Sequence, residues 1–364
     1  MISYKCGVVT DIIKEDEHVD IIYVNIKGEK YKAVNYSDFT GKVKINDKVV
    51  LNTTAVELKL GTGGYHFVMY NYSNNKMDLQ GPGHIMKLRY TPFQVRCLVA
   101  EEEDSPYHTA FQEFTNLDNH IFIVGTLHSM IGPIAAMIKY LNQDIEINYI
   151  MTDGGALPIF FSNTVSELKL KGLLKNTITI GHAFGGDLEC INIYTGLIAA
   201  KEILRGHVTI ISMGPGIVGS GTKYGFTGIE QGYIIDVINN LGGFSIAVPR
   251  ISFQDRRIRH RGISHHTLTV LSEIINTKTN IVLPTLDKEK GDFILRQIES
   301  YELNKRHNII YSSGELIHDA MKKFDLKTTS MGRTIEEDPE YFLTLGSIGK
   351  YVVKLIEERE GYDV

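Results

Sequence analysis

Cysteine is scarce and badly placed for structural chemistry. Cys6, Cys97 and Cys190 are scattered and odd in number, so they form neither a disulfide framework nor a CxxC metal pattern. Positive charge is not in surplus either. Against 43 acidic residues stand 38 Lys and Arg, a net charge of −5, which leaves no global basic field toward nucleic acid or membrane. No apolar run reaches the ~20 residues that a membrane span needs. The most apolar stretch, residues 121–138, is broken by His128, Ser129, Pro133 and two glycines, and it reads as a buried strand followed by a helix. The first seven residues lack the charged and apolar segments of a signal peptide, so a cytoplasmic protein is expected. There is no internal repeat and no low-complexity tract.

What is present is an ordinary globular composition, 43% hydrophobic and 22% charged. A length of 364 residues predicts two domains at about 150 residues each. Residues 1–72 read as short strands only, at 6–13, 19–26, 31–34, 48–51 and 65–72, with turns at 27–28, 45–47 and 61–64. A small antiparallel β domain, barrel or sandwich, is expected there, its tyrosines serving as packing. Residues 73–93 read as a linker. From 94 to 364 apolar runs alternate with amphipathic segments. Strands are expected at 95–100, 121–126, 145–152, 177–181, 208–213, 244–249, 280–283 and 308–311. Helices fall at 134–141, 188–204, 229–241, 267–275, 293–301, 316–324 and 339–358. That alternation predicts a doubly wound α/β domain with a mainly parallel sheet.

Glycine is unevenly spread: 20 of the 34 lie between Gly125 and Gly262, as expected where shaped loops meet a ligand. Ligands of open α/β sheets bind beyond the carboxyl ends of the strands. Five consecutive strand ends here deliver glycine together with His, Asp or Arg. They bring His128, then Asp153, then His182 and Asp187, then a loop of seven glycines from Gly214 to Gly232, then the segment from Arg250 to His266. Competing readings stand beside each. Asp187 reads as a helix N-cap, His128 and His182 as satisfied core histidines, and Cys190 as core on an apolar helix face. Thr227 and Glu230 read as a capping box opening the next helix.

The run from Gly214 to Gly219 matches GxGxxG, but the capping box delays the helix and the next strand ends in Arg250, so a dinucleotide site of the usual type is not expected. No flavin or P-loop signature appears. Gly214, Gly216, Gly219 and Gly221 remain candidates for a nest of backbone N–H groups around an anion. Residues 250–261 hold five arginines. They read as a solvated basic loop or as an anion clamp, with Arg250, Arg256, Arg257 and Arg259 gripping phosphate or carboxylate. Ser264 reads as the N-cap of a helix with His265 and His266 in its first turn. The helix dipole and the arginines would hold those imidazoles neutral, as a base or as metal ligands.

The strings GPGHIMKLRYTP (81–92), MTDGGALP (151–158), GHAFGGD (181–187), MGPGIVG (213–219) and RHRGISHH (259–266) resemble those of an uncharacterised bacterial family, domain-of-unknown-function family thirty-eight sixty-six. The resemblance spans most of the chain. It implies a bacterial intracellular protein and supplies no activity, so function rests on the residues. The inventory suits a hydrolase or group-transfer enzyme acting on a small phosphorylated or carboxylated molecule. Its catalytic candidates are His128, Asp153, His182, Asp187 and His266. A divalent metal is compatible, with His128, Asp153, His182, Asp187 and His265 as candidate ligands. Two rivals are a binding or regulatory module that holds a nucleotide or metabolite unchanged, and a structural homo-oligomer whose glycine loops only permit close packing. In the first reading His128, Asp153, His182 and His266 line one cleft with the glycine loop.

Overall fold

The computed structural model describes residues 1–60 and 63–361, and the chain divides into two compact units, Met1–Cys97 and Leu98–Val364. Gly61 and Thr62, half of the turn expected at 61–64, lie outside the described residues.

The first unit is a closed five-stranded barrel of β1 (Tyr4–Glu15), β2 (Val19–Ile26), β3 (Glu29–Tyr36), β4 (Lys48–Asn52) and β5 (His66–Asn71). Its order is β1-β2-β3-β5-β4, with β4 closing on β1 and one parallel pair, β3 with β5. That is the Greek-key order of an OB-fold. Register shifts after Val9 and Ile12 bend the long β1 so that one strand serves both β2 and β4. Inward residues Val9, Ile22, Val24, Ala33, Val49 and Leu51 are fully buried. Tyr4, Tyr70 and Tyr72 are exposed, so these three do not serve the packing expected of the tyrosines. The stretch expected as a linker carries a small hairpin of its own, β6 (Ile85–Lys87) with β7 (Val95–Cys97). Of the strand expected at 95–100, residues 95–97 pair in that hairpin, while Val99 makes a single parallel bridge to Glu189 at the edge of the large sheet.

The second unit is built on eight parallel strands. These are β8 (Ile121–Val124), β9 (Ile147–Thr152), β10 (Asn176–Thr179), β11 (Leu188–Glu189), β12 (Val208–Met213), β13 (Phe244–Ala247), β16 (Asn280–Pro284) and β17 (Asn308–Ser312), in the order β11-β10-β9-β12-β8-β13-β16-β17. Every residue of β8, β9 and β12 is buried, as expected of central parallel strands covered on both faces. Ile121, Ile123, Tyr149, Ile210 and Val282 point into a layer with helices Ile131–Leu141, Ile317–Lys323 and Pro339–Glu360. Phe122, Val124, Ile150, Ile211 and Ile281 point the other way, toward Glu230–Asn240 and Lys288–Ser300. The fold is thus a doubly wound α/β domain after a small barrel.

Two local expectations change. The helix expected at 188–204 starts at Ile193, because Leu188 and Glu189 pair with Ile178 and Thr179 as edge strand β11. Asn192, not Asp187, caps the helix in a reciprocal box with Thr195. Cys190 is core, as expected, but it follows that strand rather than sitting on a helix face. Winding runs outward from β8 through β9 to β11, returns to β12, and continues the other way through β13 to β17. The crevice of such a sheet opens at the carboxyl ends of the strands around that reversal.

Candidate functional site

Beyond β8, β12 and β13 lies a cavity of ≈ 160 Å³, lined by Thr126 after β8, by Gly219, Gly221 and Phe226 after β12, and by Arg250, Arg257, Arg259, His260 and His266 after β13. The arginine segment is an arch. β14 (Ile251–Ser252) pairs antiparallel with β15 (Gly262–Ile263), and residues 253–261 span between them. Glycine is needed at the arch foot: Gly262 has φ +69°, and a Cβ there would sit 2.4 Å from Gln297 Oε1.

Asp255 organises the arch. Its carboxylate accepts from Arg250 Nη2 at 3.2 Å and from Arg257 Nε and Nη2, each at 3.0 Å. The Arg257 guanidinium holds that carboxyl well below the usual range, against the pull of burial. Arg250 is buried and Arg259 exposed. Among the described residues, Arg259 makes no ion pair.

Behind the arginines stand three imidazoles. His260, His265 and His266 have ring centroids 4.1–5.2 Å apart, and His266 stacks on Phe226 at 4.1 Å with an interplanar angle of 11°. Burial first, and the neighbouring arginines after it, push His260 down to about 3. Burial, His265 and the arginines push His266 down to about 4, and His265 is lowered by burial and by Arg259 and Arg257. All three are neutral near pH 7. Ser264 occupies the N-cap position, but its hydroxyl meets His260 Nδ1 at 2.8 Å instead of capping the helix.

The glycine loop lends shape more than charge. The amide of Val218 donates to Thr227 Oγ1 and that of Ser220 to the Gly225 carbonyl, at 3.1 and 2.7 Å, so two of the N–H groups expected in an anion nest are used inside the loop. Gly219 and Gly221 line the cavity; Gly214 does not. A Cβ on Gly214 would lie 2.4 Å from the Ala156 carbonyl oxygen, so this glycine lets two strand-end loops touch. Gly216 lines a neighbouring cavity of ≈ 400 Å³ with His128, Ser129, Glu167 and Lys327, and the two cavities share Leu127, Ile217 and Met331.

A family model described as protein of unknown function (DUF3866) matches residues 32–349. The chain belongs to this family. No curated protein matches it. In this DUF3866 chain, no helix among the described residues is long and apolar enough to cross a membrane.

The remaining predicted residues are dispersed. His128 lines the second cavity, yet both of its nitrogens are engaged, Nδ1 with the Met213 carbonyl at 3.2 Å and Nε2 with Ser162 Oγ at 2.6 Å. Burial pushes it down to about 4. Asp153 accepts the His182 backbone amide at 2.9 Å, and neither residue lines either cavity. Asp187 accepts from Lys169 Nζ at 2.6 Å and from the Thr177 amide at 2.8 Å, toward the start of β10 rather than its carboxyl end. Arg256 is exposed and outside the lining. The single cleft expected for His128, Asp153, His182 and His266 is therefore two cavities, holding His128 and His266 separately.

Two residues escaped the sequence reading. His260 was hidden inside a basic run. Glu230 was absorbed into a capping box that does not form: its Oε1 accepts from Thr152 Oγ1 at 2.5 Å, at the end of β9. Glu230 is 5% exposed, and burial, with the nearby Asp153 charge, pushes its carboxyl up to about 7 against the Thr152 hydrogen bond. The available signal was its place on an apolar helix face beside Gly232, Ile234 and Ile235.

Proposed function

We propose that this member of the family binds a small anionic molecule, phosphorylated or carboxylated, between the glycine loop and the arginine arch, and acts on it by hydrolysis or group transfer. One observation carries the reading: Arg250, Arg259 and His266 line the same cavity. Among the described residues Arg259 has no carboxylate to satisfy it, and guanidinium forks suit phosphate and carboxylate oxygens. A neutral imidazole offers the acceptor nitrogen that proton transfer or metal ligation requires. Ligand pockets usually span about 300–1,000 Å³, so ≈ 160 Å³ suits an anionic head group. The adjoining ≈ 400 Å³ suits the body attached to it.

The test is calorimetric titration of the full chain with inorganic phosphate and with a panel of phosphomonoesters and carboxylates, repeated on Arg259→Ala. Losing a charged hydrogen bond of about 1.5–3 kcal/mol predicts roughly 10- to 100-fold weaker binding. Unchanged affinity in the variant would remove the anion site. Following the bound compounds over time then separates an enzyme from a non-catalytic binding module, in which they are recovered intact.

A further inference from the structure

We propose that His260, His265 and His266 form a three-imidazole site for a divalent transition-metal ion, Zn²⁺ by preference, in the wall of the anion cavity. One ligand nitrogen from each of the three lies within 4.8 Å of the others. Tetrahedral Zn²⁺ with Zn–N bonds of about 2.0–2.1 Å separates its ligand nitrogens by roughly 3.3 Å. Closing the difference takes about 1.5 Å at most, a movement that side-chain torsions supply.

Two details support ligation over simple packing. Nε2 of His265 is shielded from solvent and, among the described residues, has no hydrogen-bond partner. An orphaned polar atom of this kind costs about 1–3 kcal/mol, which a metal bond would offset. His260 Nδ1 is engaged by Ser264 Oγ at 2.8 Å, leaving Nε2 as its ligand atom. A second hydrogen bond that fixes the ring is the usual companion of a metal-bound histidine. Imidazole suits zinc, copper, iron and nickel better than magnesium or calcium, which sets the class of ion.

The surrounding charge makes this more specific. Arg250, Arg257 and Arg259 line the same cavity, and Asp255 engages two of them. A dication here sits in a positive field unless an anion arrives with it. The inference deepens the anion-site reading and rests on it in one respect: metal and anion must bind cooperatively, each raising the affinity of the other by the same factor. His260 and His266 both line the cavity, so an anion oxygen bound there can reach the ion.

The full chain, stripped with chelator, is titrated with Co²⁺ as a visible-absorbing probe and with Zn²⁺ followed by elemental analysis, with and without inorganic phosphate. We expect one ion per chain, at least tenfold tighter Co²⁺ binding in phosphate, and at least 100-fold weaker binding in His265→Ala. Ser264→Ala frees the His260 ring without removing a ligand, and binding about tenfold weaker is expected. It serves as the readout if His265→Ala does not fold. Absence of stoichiometric uptake, or native affinity in both variants, overturns the site. The two readings fail separately. Phosphate binding by the metal-free chain without Co²⁺ uptake overturns the metal site alone, and Co²⁺ uptake that phosphate does not tighten overturns the coupling to an anion.

Discussion

Glu230→Gln tests the electrostatics of the strand-end region most directly. Gln keeps the volume of the side chain and an acceptor oxygen for Thr152 Oγ1, but it cannot ionise. In the folded protein the Glu230 carboxyl is raised from 4.5 to about 7. A tenfold change in acidity corresponds to ~1.4 kcal/mol, so the folded state disfavours the carboxylate by roughly 3 kcal/mol. Below pH 4.5 both folded and unfolded chains carry the proton, and the group contributes no pH dependence. Between pH 4.5 and about 7 the unfolded chain releases the proton first, so native stability falls as pH rises. Above about pH 7 the full cost is present and constant. Urea unfolding of the native chain and of Glu230→Gln, followed by circular dichroism at pH 5, 6, 7 and 8, isolates the effect because other titrations cancel in the difference. The variant should gain on the order of 3 kcal/mol relative to the native chain between pH 5 and pH 8. A difference that does not change with pH would refute the claim that burial holds this carboxyl protonated.

Arg259→Ala should leave thermal stability almost unchanged, since the side chain is exposed and surface charges contribute about 0–1 kcal/mol; a collapsed melting temperature would make it structural. Gly214→Ala should destabilise by about 1–3 kcal/mol, because the added carbon lies 2.4 Å from a backbone carbonyl. A denaturation midpoint equal to the native one would show that the two loops can part. Gly291→Ala, inside helix Lys288–Ser300 with nothing within 4 Å of the new carbon, should instead stabilise by about 0.5–1 kcal/mol. A lowered midpoint there would contradict the open surroundings.

Much of the sheet was legible because burial on both faces writes itself as a short, mostly apolar run. The 208–213 strand was read to the residue, and 121–126 and 145–152 to within two residues. The exceptions needed tertiary information. Ile193, Leu197, Ala200 and Leu204 recur at helical spacing, and only the parallel partner Ile178 draws the preceding Leu188 into a strand. The 95–97 strand has a hairpin partner ten residues earlier, beyond any local periodicity. Spacing alone made Thr227 and Glu230 a capping box, whereas Glu230 is claimed by Thr152 from another strand. At the site, the association of arginine arch and glycine loop followed from strand-end logic. The meeting of His260 with His265 and His266 did not, since it depends on the fold-back of the β14–β15 arch.

The place of β12 has a consequence for how the chain reaches this state. β8 and β9 follow one another in sequence, yet they never touch as neighbours, because β12 lies between them and pairs with both. With strands about 4.8 Å apart, β8 and β9 stand two spacings from each other until the chain has travelled through β10 and β11 and come back. A ribosome-bound chain that ends before Val208 therefore carries two bare, mostly apolar strand edges facing an empty slot. Such edges are templates for pairing with another chain, and long-range parallel pairing is slow to form. Synthesis of the segment from Val208 to Met213 thus closes the slot between them, while the other edge of β8 stays open until β13 is made and pairs with it.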